Sequence, residues 1–484
     1  MRNIAKIYID GAFVNPHGNE VFDLFNPTTG QVIGTVKLAD EEDARLAIAA
    51  AKRAFPAFSR TSKAERIKML NDLHDAVFSR VDDLAAATIE EYGAPAMRAL
   101  WGSRYAAESF LNAAKSLQAY ELTRRINTTE VVMQPLGVVA LITPWNANAG
   151  FICNKLATAI AAGCTSVIKP SEMSAIQTQI VTEALHEAGV PAGVFNIVTG
   201  RGDVVGAELS SHPDVAKISF TGSTAVGKAI MRAGAETMKR VTLELGGKSP
   251  TLILDDADLT TAIPLAIKAG FENSGQACIA GTRILVPQDR LPEVLALAKA
   301  AVRNVKVGDP TGPATAIGPM VSQKQWDRVQ GYIRLGLEEG AEIFVGGEGR
   351  PDGLTGFFVK PTVFTNVTND MRIAREEIFG PVLSILTYRT EEEAITIAND
   401  TVYGLQSYVI SSDPERARAV AARLETGRVV INGAPHEPLA PFGGFKQSGI
   451  GREYGVYGLE AYLEPKAVLG SFFESPSHAA PPER

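Results

Sequence analysis

Between residues 137 and 260 the chain alternates short apolar runs with stretches of helical pattern, and this alternation narrows the fold more than any other feature. Residues 137–142 predict a strand and 151–161 a helix. Residues 166–168 predict a strand ended by Lys169-Pro170, and 174–188 a helix stopped by Gly189 and Pro191. Further strands are expected at 194–198 and 217–220, each followed by a helix. Parallel neighbours need a crossover long enough to hold a helix, so this pitch predicts βαβ units and a parallel sheet covered on both faces. Residues 260–430 repeat the texture, which predicts a second α/β unit; 484 residues also exceed what one core organises. The N-terminus reads differently. Residues 6–9 and 32–36, set off by Asp10-Gly11 and Thr29-Gly30, predict a small antiparallel excursion. From Asp40, with Glu41, Glu42 and Asp43 in the first turn, a helix is expected to Phe55. A long helical region follows over 62–118, interrupted near Gly93 and Pro95.

Several function classes are excluded by composition. The net charge is −7 and no block of Lys or Arg forms a phosphate-backbone footprint, so nucleic acid is not an expected partner. The most apolar stretch, 136–168, is broken by Pro144, Asn146, Asn148 and Lys155, whereas a membrane helix needs about 20 apolar residues in succession. Cys153, Cys164 and Cys278 are too few for a disulfide framework and lack zinc spacing, and residues 1–10 offer no apolar leader. A soluble, metal-free, cytoplasmic protein is expected, with a mobile Pro-, Ser- and Ala-rich tail after Leu469.

The loop "FTGSTAVGKA" (220–229) carries the spacing of a nucleotide-triphosphate loop, G-x-x-x-x-G-K, from Gly222 through Gly227 to Lys228. "TLILDD" (251–256) even imitates the acid-ended strand that accompanies one. The position after the lysine needs Ser or Thr to hold magnesium, and Ala229 stands there. What remains is a strand, a glycine loop and a helix start: an anion site for a metal-free phosphate, or a plain turn.

Four other stretches bear chemistry. Cys278 sits in "FENSGQACIAGTR" (271–283) among small and polar residues, unlike Cys153 and Cys164, which lie in apolar runs. It is either a nucleophile with a backbone N–H beside it for an oxyanion, or a bystander. Glu244 in "LELGGKSP" (243–250) lies between leucines, where burial would raise its pKa toward that of a general base; the alternative is a solvated edge residue. Asn146 in "TPWN" (143–146) either donates to an oxyanion or caps the next helix. Lys169 and Glu172 in "IKPSE" (168–172) follow a strand end, where open α/β sheets bind ligands, or form an ordinary ion pair.

In this order the stretches resemble the NAD(P)-dependent aldehyde dehydrogenase superfamily, from about residue 6 to 468. "EEIFGPV" (376–382) and "PFGGFKQSGIGRE" (441–453) complete the likeness. The resemblance implies a Rossmann-like cofactor domain (1–112 and 136–246), a second α/β catalytic domain (247–447) and a β oligomerisation arm (113–135 with 448–484), in a homodimer or homotetramer. The alternating run 127–133 fits such an arm, as an unpaired strand outside the main sheet. The resemblance makes Cys278 the nucleophile that forms a thiohemiacetal and then a thioester. Asn146 and the Cys278 N–H become the oxyanion hole, and Glu244 the base that activates water. It implies NAD, with NADP possible, held by Trp145, Lys169, Glu172, Gly202, Gly222, Ser223, Val226, Leu245, Glu377 and Phe379. Glu172 would repel a 2′-phosphate and so favours NAD. Glu244 favours hydrolysis over transfer to coenzyme A. Glu453 matches a second acid or proton-relay position. The aldehyde would meet Phe151, Asn154, Ile279 and His436. Asn154 stands where relatives often carry a bulky apolar residue, and His436 with Glu437 where many carry aromatics. These two departures mark either a solvated rim or a channel for a polar or bulky tail. The readings that compete with an enzyme of this family are a magnesium-dependent NTPase, opposed by Ala229, and a non-catalytic scaffold, opposed by Cys278, Glu244 and Asn146 standing together.

Overall fold

A computed structural model describes residues 1–472 of the chain. The expected tail lies, from residue 473 onward, outside the described residues. Two large sheets dominate. In the first, the strands Arg240–Glu244, Val215–Thr221, Val138–Ile142, Thr165–Lys169 and Phe195–Ile197 run parallel in that spatial order. Antiparallel edges close it: Gly449–Ile450 beside Arg240–Glu244, and the hairpin Ile7–Ile9 with Ala12–Val14 beside Phe195–Ile197. The second sheet has seven strands in the order Glu342–Val345, Thr362–Thr365, Val382–Tyr388, Arg283–Pro287, Pro250–Ile253, Gln406–Ile410 and Arg428–Ile431, all parallel except the first.

The central strands are buried on both faces, which is why they read as unbroken apolar runs. Successive side chains still alternate. Val139 and Leu141 join one core with Phe110, Leu156 and Ile160, while Val138, Ala140 and Ile142 join another with Ala47, Ile48 and Ala51. The second sheet divides likewise, Leu252 and Leu285 on one side and Ile253 and Ile284 on the other.

The helix Glu41–Phe58 begins where the sequence indicates, with Asp40 accepting from the N–H groups of Glu42 and Asp43. The helical region 62–118 resolves into Lys63–Phe78, Val81–Tyr92 and Ala96–Ala119. The break at Gly93 is a left-handed C-cap (φ 79°). Residues 113–119, expected to open the arm, are the last turns of Ala96–Ala119, with Ala114 and Leu117 buried. The arm-like sheet begins afterwards, as the hairpin Thr123–Ile126 and Thr129–Pro135 paired with Leu463–Val468. Asn127, expected within the strand, is instead in the hairpin turn at φ 53°, a conformation its short amide side chain tolerates. Of the expected N-terminal excursion, 32–36 lies in a small sheet where Val21–Asn26 pairs antiparallel with Gln31–Lys37 and Arg2–Ile4 parallel with it, whereas Ile7–Ile9 joins the edge of the first large sheet, pairing with Phe195–Ile197. Among the described residues no helix is long and apolar enough to cross a membrane.

Candidate active site

The site lies where the carboxyl ends of the first sheet meet the loops of the second. Cys278 follows the turn Glu272–Gly275, in which Asn273 and Ser274 take left-handed backbone angles (φ 53° and 60°). Side chains hold this loop from several directions. The Asn146 amide Nδ2 donates to Gln276 O at 2.9 Å, and Asn273 Nδ2 donates to Gln276 O at 3.2 Å and Asn146 O at 3.1 Å. Gln276 is itself buried, donating to Pro319 O and accepting from the Val321 N–H. Asn146 therefore does not cap the helix Asn148–Ala162, whose N-cap, Ala147, offers no side-chain cap. An amide nitrogen has two hydrogens, and one of them serves to fix Asn146 against the Cys278 loop. Cys278 is half-buried, and burial pushes its thiol up, with the carboxylates of Glu377 and Glu244 adding to the effect. Cys153 and Cys164 are fully buried in the core of the first sheet.

Glu244 ends the strand Arg240–Glu244. It is 3% exposed, and neither carboxylate oxygen meets a hydrogen-bond donor among the described residues. Burial raises its pKa well above the usual range, and the Glu453 carboxylate reinforces this; Lys155 and Arg452 oppose it only in part. It is no solvated edge residue. Backbone passes close by: a Cβ added to Gly443 would stand 2.8 Å from Glu244 Oε1, so only glycine leaves room for the carboxyl there. Behind it, Lys155 Nζ is paired with Glu453 Oε1 and donates to Ser219 Oγ at 2.9 Å, and Ser219 Oγ donates to Glu453 Oε1 at 3.2 Å. Sequence reasoning met Lys155 only as a break in an apolar stretch. The signal available was a lysine in a helix whose neighbours at i−4, i−3, i+1 and i+4 (Phe151, Ile152, Leu156, Ala159) are apolar, a position that demands a buried partner.

The glycine loop closes the strand Val215–Thr221 and leads into the helix Thr224–Ala235, capped by Ser223 through the Val226 N–H at 3.4 Å. The helix starts at Thr224, three residues before Gly227. Each half of the triphosphate-loop spacing has a separate packing cause. A Cβ on Gly227 would lie 2.6 Å from Leu245 Cδ2, and Lys228 Nζ donates to Gln447 Oε1 at 2.8 Å, away from any phosphate position. The Gly222 N–H donates to Glu244 O at 3.0 Å, tying this loop to the strand that carries Glu244. Val226, in the first helical turn, is exposed.

Around this helix start stand the other expected cofactor residues. Lys169 is buried and 3.3 Å from Glu172 Oε2; burial lowers its pKa while Glu172 opposes the shift. Asp203, next to the exposed Gly202 in the turn Gly202–Gly206, also faces Lys169. Trp145 meets Phe379 edge-on, centroids 5.4 Å apart and planes at 89°. Phe379 takes φ 64°, an uncommon angle for an aromatic residue, and Gln325 Nε2 holds its carbonyl at 2.7 Å. Glu377 Oε1 accepts the Gly247 N–H at 3.0 Å. An exposed helix start, glycines against it, a Lys–carboxylate pair at a strand end and an aromatic pair fit an adenosine, a pyrophosphate and a nicotinamide.

Of the expected aldehyde-side residues, Phe151 and Asn154 lie one turn apart on Asn148–Ala162, half-buried and buried respectively. Ile279 follows Cys278, and its carbonyl accepts from Tyr408 OH at 2.9 Å. His436 is half-buried beside the exposed Glu437: its Nε2 is 2.9 Å from Tyr105 OH, and burial lowers its pKa to about 4, aided by Arg428 and Arg98 and opposed by Glu437.

Comparison with known proteins supplies the remaining findings. A family model described as "Aldehyde dehydrogenase family" matches residues 13–468. The chain is 49% identical over 473 residues to the 3-succinoylsemialdehyde-pyridine dehydrogenase of a Pseudomonas species, covering 97% of this chain and 99% of that one. Among solved structures it is similar to a cysteine-to-alanine mutant of aldehyde dehydrogenase C from Pseudomonas syringae, complexed with NAD+ and octanal. The TM-score is 0.95 at 45% identity, over 98% of this chain and 97% of that one. It is also similar to the NAD+ complex of aldehyde dehydrogenase from Bacillus cereus, with a TM-score of 0.92 at 40% identity over 96% of each chain.

Proposed function

This chain belongs to the aldehyde dehydrogenase family, and from that premise we propose that it oxidises an aldehyde to a carboxylic acid with NAD, through a thioester on Cys278 that Glu244 helps to hydrolyse. One observation carries the reading: a buried carboxyl with no hydrogen-bond partner, in electrostatic reach of a half-buried thiol whose loop is pinned by an asparagine amide.

What the dinucleotide supplies when bound is a hydride acceptor, and the residues that would hold it are those gathered at the helix start Thr224–Ala235. Lys169 and Glu172 would take the adenosine ribose, Gly222 and Ser223 the pyrophosphate, Glu377 the nicotinamide ribose, and Trp145 and Phe379 the neighbourhood of the ring. Val226, Leu245 and Gly202 would shape the groove. The Glu172 carboxylate disfavours a 2′-phosphate, which makes NAD the better fit and NADP the poorer one. The chain's own chemistry begins at Cys278. Cys278 gives up its thiol proton through the Glu244 carboxylate, which passes it onward, its sulfur bonds to the carbonyl carbon, and the oxygen becomes an alkoxide held by the second Asn146 hydrogen and the Cys278 N–H. Loss of hydride from that carbon leaves the thioester. Glu244 then takes a proton from water, the hydroxyl adds to the thioester carbon, and the carboxylic acid departs as the sulfur is released. Glu453 and Lys155, buried beside Glu244, are suited to pass that proton onward.

In the same proposal the first large sheet forms the cofactor domain, the second the catalytic domain, and the hairpin Thr123–Pro135 with Leu463–Val468 an arm added to a partner subunit. Three free cysteines suit a reducing cytoplasm. The experiment is to mix the protein with NAD and a panel of aldehydes and follow NADH absorbance. Cys278→Ala is expected to abolish turnover. Glu244→Gln is expected to release about one NADH per active site in a burst and then slow by about 10²–10⁴-fold. Unchanged steady turnover in Cys278→Ala overturns the mechanism.

A further inference from the structure

Two neighbouring strands of the first sheet break the apolar rule of a buried sheet on one face only. Lys217, Ser219 and Thr221 alternate along Val215–Thr221, and Arg240, Thr242 and Glu244 along Arg240–Glu244. The parallel register sets them side by side, Lys217 with Arg240, Ser219 with Thr242 and Thr221 with Glu244, so all six share a face. Five are buried, and only Arg240 is exposed. On the opposite face Ile218, Phe220 and Leu243 pack in an apolar core, and on the next strand the same face carries Val139 and Leu141. A buried polar stripe is costly unless its groups are joined to one another.

The joints can be followed downward from the active site. At the top, Thr221 Oγ1 and both Glu244 oxygens have no hydrogen-bond partner among the described residues. One layer below, Ser219 Oγ lies between Lys155 Nζ and Glu453 Oε1. Lys217 reaches up to this layer: its Nζ donates to Thr242 Oγ1 at 2.6 Å and stands 4.8 Å from the centroid of the Tyr462 ring. Neighbouring strands lie about 4.8 Å apart, which puts the Ser219 and Thr242 hydroxyls within reach of one hydrogen bond or one bridging water. Thr242 also stands next to the sheet edge. A Cβ on Gly451 would lie 3.1 Å from its Oγ1, and Ile450 beside it is exposed. The stripe ends at Arg240, whose side chain is 61% exposed and pairs with Glu464 at 2.6 Å. The ionisable groups facing Lys217 are Lys155, Arg240, Glu453 and the Cys164 thiol. Two buried amines thus share one carboxylate, and burial first, then Lys155, lowers the Lys217 pKa to about 7, where an amine takes up and returns a proton readily.

Aldehyde, water and NAD give a carboxylate, NADH and two protons. In the proposed mechanism Glu244 takes both, the first from the Cys278 thiol and the second from water, so it must discharge between them. We infer that the stripe is the proton exit: protons pass from Glu244 to Glu453 and Lys155, then by Ser219, Thr242 and Lys217 to solvent at the edge beside Gly451 and Arg240. Each step moves a proton along a hydrogen bond and changes no other bond. Thr242 and Lys217 touch no substrate and act through Glu244.

The inference rests on the aldehyde dehydrogenase reading, and its test separates the two. Oxidation of octanal with NAD is followed by NADH absorbance, in stopped flow for the first turnover and in steady state for later ones. In Thr242→Val and Lys217→Met the first NADH per active site is expected at the wild-type rate, because Glu244 holds the thiol proton. Later turnovers are expected to slow about tenfold or more, because a protonated Glu244 cannot activate water. Thr242→Ser keeps the hydroxyl and is expected to match the wild type. The Thr242 variants alter little volume, so they decide the matter even where Lys217→Met does not fold. Wild-type kcat in Thr242→Val overturns the inference and leaves the family chemistry standing. Equal slowing of first and later turnovers, or Thr242→Ser as slow as Thr242→Val, shows a merely structural role and overturns it too. A wild type that forms no NADH from octanal or any aldehyde of the panel overturns the parent reading, and this one with it.

Discussion

Glu244 brings a carboxyl into an interior that offers it no donor, and its usefulness follows from that isolation. Protonated, it is the cheaper form to bury; deprotonated, it is a strong base in a dry setting. Because its pKa lies well above 4.5, the kcat limb it governs rises with pH above the ordinary carboxylate range, and that limb is expected to vanish in Glu244→Gln. Asn146 has the opposite character, with one hydrogen spent on Gln276 O and the other free for an oxyanion. Asn146→Ala is expected to lower kcat by about 10²–10³-fold in steady-state assays, the usual effect of removing one oxyanion donor. His436 adds a stability test with a definite sign. Its folded pKa of about 4 lies below 6.5, so between those values the unfolded chain binds the proton and the folded chain does not. Stability is thus lost as pH falls from 6.5 toward 4, and His436→Gln is expected to flatten that part of a melting-temperature profile. The small-residue setting of Cys278 and the apolar setting of Glu244 were legible in sequence. The hold of the Asn146 amide on Gln276 O was not, because it joins residues 130 positions apart.

At the scale of elements, the helix Asn148–Ala162 does two jobs with one stripe of residues. Phe151 and Asn154 lie one turn apart on the side expected to meet the aldehyde, and Lys155, one position on, pairs with Glu453 in electrostatic reach of Glu244. The strand ends that present Asn146, Lys169, Thr221 and Glu244 were visible as apolar runs stopped by polar residues, since a strand buried on both faces has no other pattern. Pairing across long separations was not: nothing local in "FTGSTAVGKA" announces that Leu245 fills the space where Gly227 lacks a side chain, or that Gln447 takes Lys228. Lys155→Met removes the cation from a buried pair and leaves Glu453 uncompensated. Breaking such a pair costs about 3–5 kcal/mol, so the variant is expected to unfold at markedly lower denaturant or to take up a proton at Glu453. Equilibrium unfolding followed at two pH values distinguishes these outcomes, because protonation recovers stability as pH falls.

At the scale of the whole molecule, the carboxyl ends of the first large sheet meet the loops of the second, and a separate three-stranded sheet carries Thr123–Ile126 exposed along its length. Both large sheets followed from the alternation of strand and helix patterns. The three-stranded sheet was expected as an arm of 113–135 with 448–484, though the hairpin turn at Asn127 was not foreseen. An open edge of this kind invites addition to another chain. Replacing Arg125 and Ile126 by proline, which cannot join a ladder, is expected to lower the molecular mass seen by light scattering while the individual subunit keeps its helical circular-dichroism signal. A mass unchanged at micromolar concentration would show that this edge does not hold subunits together.

The pairing of Lys155 with Glu453 joins residues 298 positions apart, and Gly449–Ile450 completes the sheet edge beside Glu244. A chain emerging from the ribosome makes its thiol at position 278 long before it makes the last wall around its base. Contacts that span so much sequence form late, since the intervening chain must be ordered first. Until residues 441–453 arrive, a nascent molecule holds a nucleophile without the means to discharge it. Position 278 therefore meets its completed surroundings only after nearly the whole chain has been made, because the strand Arg240–Glu244 gains its edge partner from Gly449–Ile450.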